Sequence, residues 1–140
     1  MARAGHYRFR GRRATGARSF FAREAGPTRT LAVTQSALPV THHGSADFTL
    51  SPILRGAHDL HTAWIHLAPG GVIGRHEASS EQLLLITSGD AEVSGADGQP
   101  KRRSPGEAAL FLAGELHETR SAQGMDAVVI EGAGLVAALR

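Results

Sequence analysis

The chain has 140 residues, which is about one domain with a single hydrophobic core. It has no cysteine, no run of the roughly 18 apolar residues that span a bilayer, and no apolar N-terminal secretory stretch. These absences exclude disulfides, thiolate metal sites and cysteine nucleophiles, and they predict a soluble, cytoplasmic protein that makes no contact with a membrane.

The net charge of +2 is unevenly distributed along the chain. Residues 1–30 contain eight arginines and one glutamate, whereas residues 31–140 contain seven basic and twelve acidic residues. The first segment cannot bury enough apolar surface to offset its ordering entropy, so we predict a disordered basic tail over 1–30 and a folded domain over 31–140. The tail could be an arm that contacts phosphates, a transit peptide or an incidental extension. We favour the incidental extension, because the rest of the chain has no basic motif or aromatic-interleaved strand that supports nucleic-acid binding.

After the tail, short strand-like segments follow one another with almost no helical periodicity. Each has the usual strand length of about 5 to 8 residues. In chain order they are TLAVT (30–34), DFTLSPIL (47–54), LHTAWIHL (60–67), QLLLIT (82–87), AEVSG (91–95), EAALFL (107–112), HETRS (117–121) and DAVVIEG (126–132). Turn residues separate them at 69–71, 89–90, 97–98 and 105–106. This spacing predicts an all-β sandwich or small barrel.

Two stretches resemble the motifs of the cupin family. The first cupin motif, Gly-x5-His-x-His-x3-Glu-x6-Gly, aligns without gaps on Gly70, His76, Ala78, Gln82 and Gly89. The second, Gly-x5-Pro-x-Gly-x2-His-x3-Asn, aligns on a set in which Leu replaces Pro and Ser replaces Asn. That set is Gly106, Leu112, Gly114, His117 and Ser121.

The resemblance to cupins covers about residues 48–132. It implies a small antiparallel jelly-roll barrel with a central pocket, which in this family usually holds iron, manganese, nickel, copper or zinc on three histidines and one glutamate. More narrowly, the chain is similar to small single-domain bacterial cupins with the pattern His-x-Ala-x3-Gln. That pattern implies no particular reaction.

Two of the four cupin ligand positions keep a histidine, His76 and His117. Ala78 cannot ligate a metal, and Gln82 can offer only a neutral amide oxygen. Since alternate residues of a strand share a face, positions 76, 78 and 82 can point inward together. We therefore expect either a divalent metal on His76, Gln82 and His117, or a hydrogen-bonded polar cluster without metal.

Five further residues are candidates for lining a ligand pocket around these three: Trp64, His66, Leu84, Ile86 and Thr119. Trp64 has the alternative roles of a core residue or a dimer contact. The pair His42-His43 lies between loop residues, and we expect it to be solvated.

Two functions from different classes remain open. The first is a small-molecule enzyme with a divalent metal, such as an oxygenase, isomerase or lyase of the cupin type, in which His76 or His117 acts as a base. The second is a non-catalytic barrel without metal that binds or senses a small molecule. A nucleophilic serine mechanism has little support, because no Gly-x-Ser-x-Gly elbow is present.

The run LLLI at 83–86 is apolar on both faces of its strand. One face therefore needs a cover from another sheet or subunit. We predict a homodimer.

Overall fold

The structure is a computed structural model that describes residues 37–139, apart from the side chains of Arg55 and Ala57. The predicted disordered tail, the predicted strand at 30–34 and the domain boundary after residue 30 lie outside the described residues.

The described residues form an all-β fold of antiparallel strands, as the spacing of the turn residues predicted. The strands are β1 (Leu38–Pro39), β2 (Ala46–Ala57), β3 (Leu60–Glu77), β4 (Gln82–Gly89), β5 (Ala91–Ser94), β6 (Lys101–Arg103), β7 (Ala108–Phe111), β8 (Leu116–Arg120) and β9 (Met125–Glu131). A 3-10 helix (His42–Gly44) precedes β2, and a short helix, α1 (Leu135–Ala138), follows β9. The strands close into a nearly complete barrel.

The long strand β3 belongs to both sides of the barrel. Its first part, residues 61–67, pairs with β9, whereas residues 72–77 pair with β8. The strand changes partners at Gly70, which has a φ of +82° that favours glycine. The sequence predicted a turn between two strands at 69–71, and this was wrong: the turn residues instead bend one continuous strand.

Alternate residues of the strands face the barrel interior. Ala63, Val129, Leu84 and Ala109 lie directly opposite one another across β3, β9, β4 and β7, and all four are buried. Each large buried apolar side chain of this kind contributes about 1.5–3 kcal/mol relative to its exposed state. The core therefore fills the barrel behind the polar row described below.

The other face of the same strands is also largely apolar. Leu83 and Leu85 of β4 and Val128 and Ile130 of β9 lie there, and each is half-buried in the single chain. We call these four residues the outer apolar face.

Within residues 37–139, no helix has the length and apolar character needed to cross a membrane.

Candidate functional site

A row of candidate site residues crosses the barrel wall at the end where β3 and β4 begin and β7 and β9 finish. His61 is opposite Glu131, Glu131 is opposite Gln82, and Gln82 is opposite Phe111. Directly opposed residues of antiparallel strands place their side chains on the same face. Since His61 is exposed, Glu131 half-buried, and Gln82 and Phe111 buried, the row leads from the surface into the barrel.

The two candidate histidines continue this row inside the barrel. His76, near the end of β3, is directly opposite His117, near the start of β8, and their ring centroids are 4.3 Å apart. Phe111 stacks on His117 with a centroid distance of 4.1 Å and an interplanar angle of 20°. Both histidines are buried. The structure thus brings together His76 and His117, and Phe111 connects them to Gln82.

Backbone carbonyls fix the orientation of both imidazoles. The Nδ1 of His76 lies 2.7 Å from the carbonyl oxygen of Gly74, and the Nδ1 of His117 lies 3.1 Å from that of Glu115. A carbonyl oxygen only accepts, so in the neutral ring Nδ1 carries the proton and Nε2 keeps its lone pair. Both histidines therefore present Nε2 as a hydrogen-bond acceptor or metal ligand.

Burial keeps these imidazoles neutral. Desolvation is the main cause that lowers the pKa of His117 to about 4, with smaller contributions from His76 and Arg75, against the opposing effect of its bond to Glu115. The pKa of His76 is also lowered, again mainly by burial and further by His43. At neutral pH neither ring carries a charge.

Glu131 is a site residue that the sequence analysis missed. The Gln82 Nε2 donates a hydrogen bond to the Glu131 Oε1. Burial raises the pKa of Glu131, although His61 and the bond from Gln82 oppose the shift. The sequence signal for Glu131 was its position in the segment VVIEG, two residues after the inward-facing Val129. The sequence alone does not give the strand register that puts Glu131 beside Gln82.

The 3-10 helix packs closely against the His76 side of the site. The His43 ring stacks on that of His76, with centroids 5.3 Å apart and planes 20° from parallel. At Gly74, an added Cβ would lie 1.7 Å from the carbonyl oxygen of His43, and the Gly74 N–H donates to the Ser45 hydroxyl at 3.0 Å. His43 is exposed but has a ring contact, so the prediction of a merely solvated pair was incomplete.

The donor atoms do not fit the four-ligand metal centre that the motifs imply. Ala78 is buried at the second ligand position and has no donor atom, and Gln82, whose Nε2 donates to Glu131, offers only a neutral amide oxygen in place of a carboxylate. Among residues 37–139, no group of three or more His, Cys, Asp or Glu side chains is arranged to hold a metal ion. The metal site on His76, Gln82 and His117 therefore stays a prediction, for which two imidazole nitrogens are the evident ligands.

The five candidate pocket residues do not form one group. Leu84, Ile86 and Thr119 are buried on the inner face. Trp64 and His66 instead lie on the opposite face of β3, where the Asp126 carboxylate accepts from the Trp64 Nε1 at 3.2 Å and lies 2.8 Å from the His66 Nδ1. These two side chains are held at the outside of the barrel wall.

Comparisons with known proteins agree with the motifs. A family model described as "Cupin domain" matches residues 63–133, which is half of the chain. No curated protein matches the sequence.

Solved structures of similar fold include proteins whose names indicate different activities. The polyketide cyclase RemF from Streptomyces resistomycificus is 20% identical with a TM-score of 0.66, over 76% of this chain and 80% of that one. A predicted oxalate decarboxylase from Thermotoga maritima is 14% identical with a TM-score of 0.67, over 74% and 98%. KdgF from Halomonas sp. is 18% identical with a TM-score of 0.56, over 61% and 80%. At these identities the likeness shows the fold alone.

Proposed function

Since the chain belongs to the cupin domain family, we propose that it binds a small organic molecule at one end of its barrel without requiring a metal. The binding residues are His76, Gln82, His117 and Glu131, which we call the polar cluster. Proteins whose names indicate different activities share this fold, so the proposal rests on the cluster and not on the likeness.

The observation that carries the proposal is the Nε2 atom of His117. The residue is 4% exposed, and its Nδ1–H is used by the Glu115 carbonyl. Among the residues that the structure describes, no group donates a hydrogen bond to the Nε2 of His117. A buried acceptor without a donor costs about 1–3 kcal/mol, and a hydroxyl or amino group of a ligand would recover this energy.

A ligand screen with chelated protein tests the proposal. The full chain is treated with EDTA, and a library of neutral, cationic and anionic metabolites is tested by ligand-observed NMR. We expect compounds that bind wild type and lose at least about tenfold in affinity in His117→Phe, which keeps the ring against Phe111 but removes the acceptor.

The matched control is His66→Phe, an imidazole-to-phenyl change on the outer side of the same barrel wall. It should leave binding unchanged. The proposal is overturned if no compound binds the chelated wild type, or if His117→Phe retains all the binding.

A metal-dependent oxygenase, isomerase or lyase is the second candidate. It is supported by the backbone bonds at both Nδ1 atoms, because metal-ligating histidines usually donate their other ring N–H in this way. Iron, manganese, nickel, copper or zinc would have the neutral amide oxygen of Gln82 as its third ligand beside His76 and His117, and an amide attracts a divalent cation less than a carboxylate, which leaves this candidate behind the first. Mass-spectrometric metal analysis of wild type beside His76→Ala and His117→Ala decides it: bound metal in wild type that both variants lack would favour the enzyme.

We also propose a homodimer formed through the outer apolar face. Four half-buried apolar side chains on two adjacent strands make a contiguous surface of the kind that subunit contacts cover.

A further inference from the structure

The polar cluster contains acceptors and one carboxyl group. The neutral rings of His76 and His117 each have an acceptor lone pair at Nε2, because Nδ1 carries the proton, and Glu131 is an acid. The remaining member, Gln82, donates one of its two amide hydrogens to Glu131, which leaves a single neutral N–H as a further donor. No lysine or arginine belongs to the cluster.

The charged groups that surround the cluster do not make it favourable for an anionic ligand. The positive charge of Arg75 helps to lower the pKa of His117, but the Arg75 side chain is exposed. Its guanidinium donates hydrogen bonds to the carbonyl oxygens of Gly95 and Ala96 at 3.3 and 3.5 Å. Glu115 adds a second carboxylate, which accepts from the Leu112 N–H at 2.9 Å.

The two flanking histidines complete the surroundings. His61 lies opposite Glu131, and the His43 ring stacks on that of His76. The charged side chains around the cluster other than histidine are two carboxylates, Glu131 and Glu115, and the exposed guanidinium of Arg75.

We infer that the cluster selects a non-anionic ligand with hydroxyl or amino donors and excludes carboxylates and phosphates. This inference rests on the proposed function, and it names the ligand class of that same site.

Two physical effects produce this selection. Lone pairs on Nε2 can pair only with a donor, whereas a carboxylate or phosphate group of a ligand offers acceptors. The Glu131 carboxylate would also face the ligand's negative charge in a partly buried site, and like charges brought together in an interface repel each other. Sites for anions commonly supply arginine forks or helix N-termini instead.

Matched pairs of compounds test the inference. Each pair differs in that a CH₂OH group of one member is a carboxylate in the other: benzyl alcohol and benzoate, glucose and glucuronate, and ethylene glycol and glycolate. The full chain, labelled at histidine, is titrated with each compound at about pH 8 while the ring signals of His76 and His117 are followed by NMR. We expect alcohols to shift these signals and their carboxylate partners not to shift them.

Two variants connect the selection to Glu131. In Glu131→Gln the carboxylates should gain at least about tenfold in affinity relative to the alcohols, because the opposing charge is gone. In Glu92→Gln, an exposed position on β5, the preference should equal that of wild type.

The outcomes separate this inference from the proposed function. Carboxylates that shift the ring signals as strongly as the alcohols overturn the inference but leave binding at the cluster intact. An unchanged preference in Glu131→Gln contradicts the role given to Glu131. If no compound of any pair shifts the signals and the metabolite screen finds no binder, the proposed function fails and the inference fails with it.

Discussion

At the scale of single residues, two features distinguish His117 from an ordinary core residue. It is a buried polar ring with one nitrogen committed to the backbone, and its other nitrogen has no donor among residues 37–139. Burial lowers the pKa of His117 to about 4, so protonating this ring costs more free energy in the folded chain than in the unfolded chain. We interpret this as stability given up for a binding atom.

The stability of the protein should therefore fall in mild acid. Between about pH 6.5, the ordinary imidazole pKa, and about 4, the unfolded chain binds a proton at position 117 that the folded chain does not, so the free energy of unfolding rises with pH in this window. The span is on the order of 3 kcal/mol. His117→Phe should flatten the profile measured by urea denaturation. An identical profile in His117→Phe and wild type would contradict the pKa.

Glu131 should have the opposite dependence on pH. Because its folded-state pKa lies above the ordinary value, the folded chain keeps the proton longer, and stability falls as pH rises through this range and is constant above it. Glu131→Gln removes the buried charge, so we expect a higher urea midpoint than that of wild type at about pH 8. Glu92→Gln is the control with no expected change. A lower midpoint in Glu131→Gln would show that the carboxylate stabilises the fold.

At the scale of elements, the contact between the 3-10 helix and β3 holds His76 in place. Gly74 lets the two backbones approach, and its carbonyl oxygen also accepts from the His76 Nδ1. The orientation of His76 therefore depends on the absence of a side chain at Gly74.

Gly74→Ala should destabilise the protein by about 2–4 kcal/mol, because the new Cβ would overlap the His43 carbonyl and force the backbone to move. The control is Gly98→Ala, where the Cβ meets open space and the cost of a positive φ is about 1–2 kcal/mol. Thermal denaturation of both variants compares these costs. Equal losses of stability in the two variants would mean that the 3-10 helix can shift at His43 at little cost in free energy.

The sequence predicted the type of these elements better than their pairing. Seven of the eight predicted strands lie in the described part of the chain and are strands, since alternating burial leaves a period of two in the sequence. The motif spacing also identified His76 and His117 as partners. It could not reveal the bend of β3 at Gly70, or Glu131 beside Gln82, because both depend on register between strands that are distant in the chain.

At the scale of the whole molecule, the barrel wall separates two surfaces. The inner side holds the core and the polar cluster, and the outer side holds the outer apolar face. The alternation that buries Leu84 and Ile86 leaves Leu83 and Leu85 outside. The homodimer stays a prediction that rests on this second surface.

Leu85→Glu should convert the dimer to a monomer, because a carboxylate would be desolvated in the subunit contact. Light scattering measures the mass, which should be twice that of one chain for wild type and for the exposed control Gln99→Glu. A monodisperse wild-type monomer at high concentration would refute the dimer.

The central claim is that the polar cluster binds its ligand without a metal. The most direct measurement is the affinity of the tightest binder from the metabolite screen, determined before and after dialysis against EDTA, with the metal content of each sample recorded. We predict an affinity that changes less than about twofold, which is below 0.5 kcal/mol, and far less than one metal ion per chain in both samples. Binding that disappears on chelation and returns with iron, manganese, nickel, copper or zinc would contradict the claim.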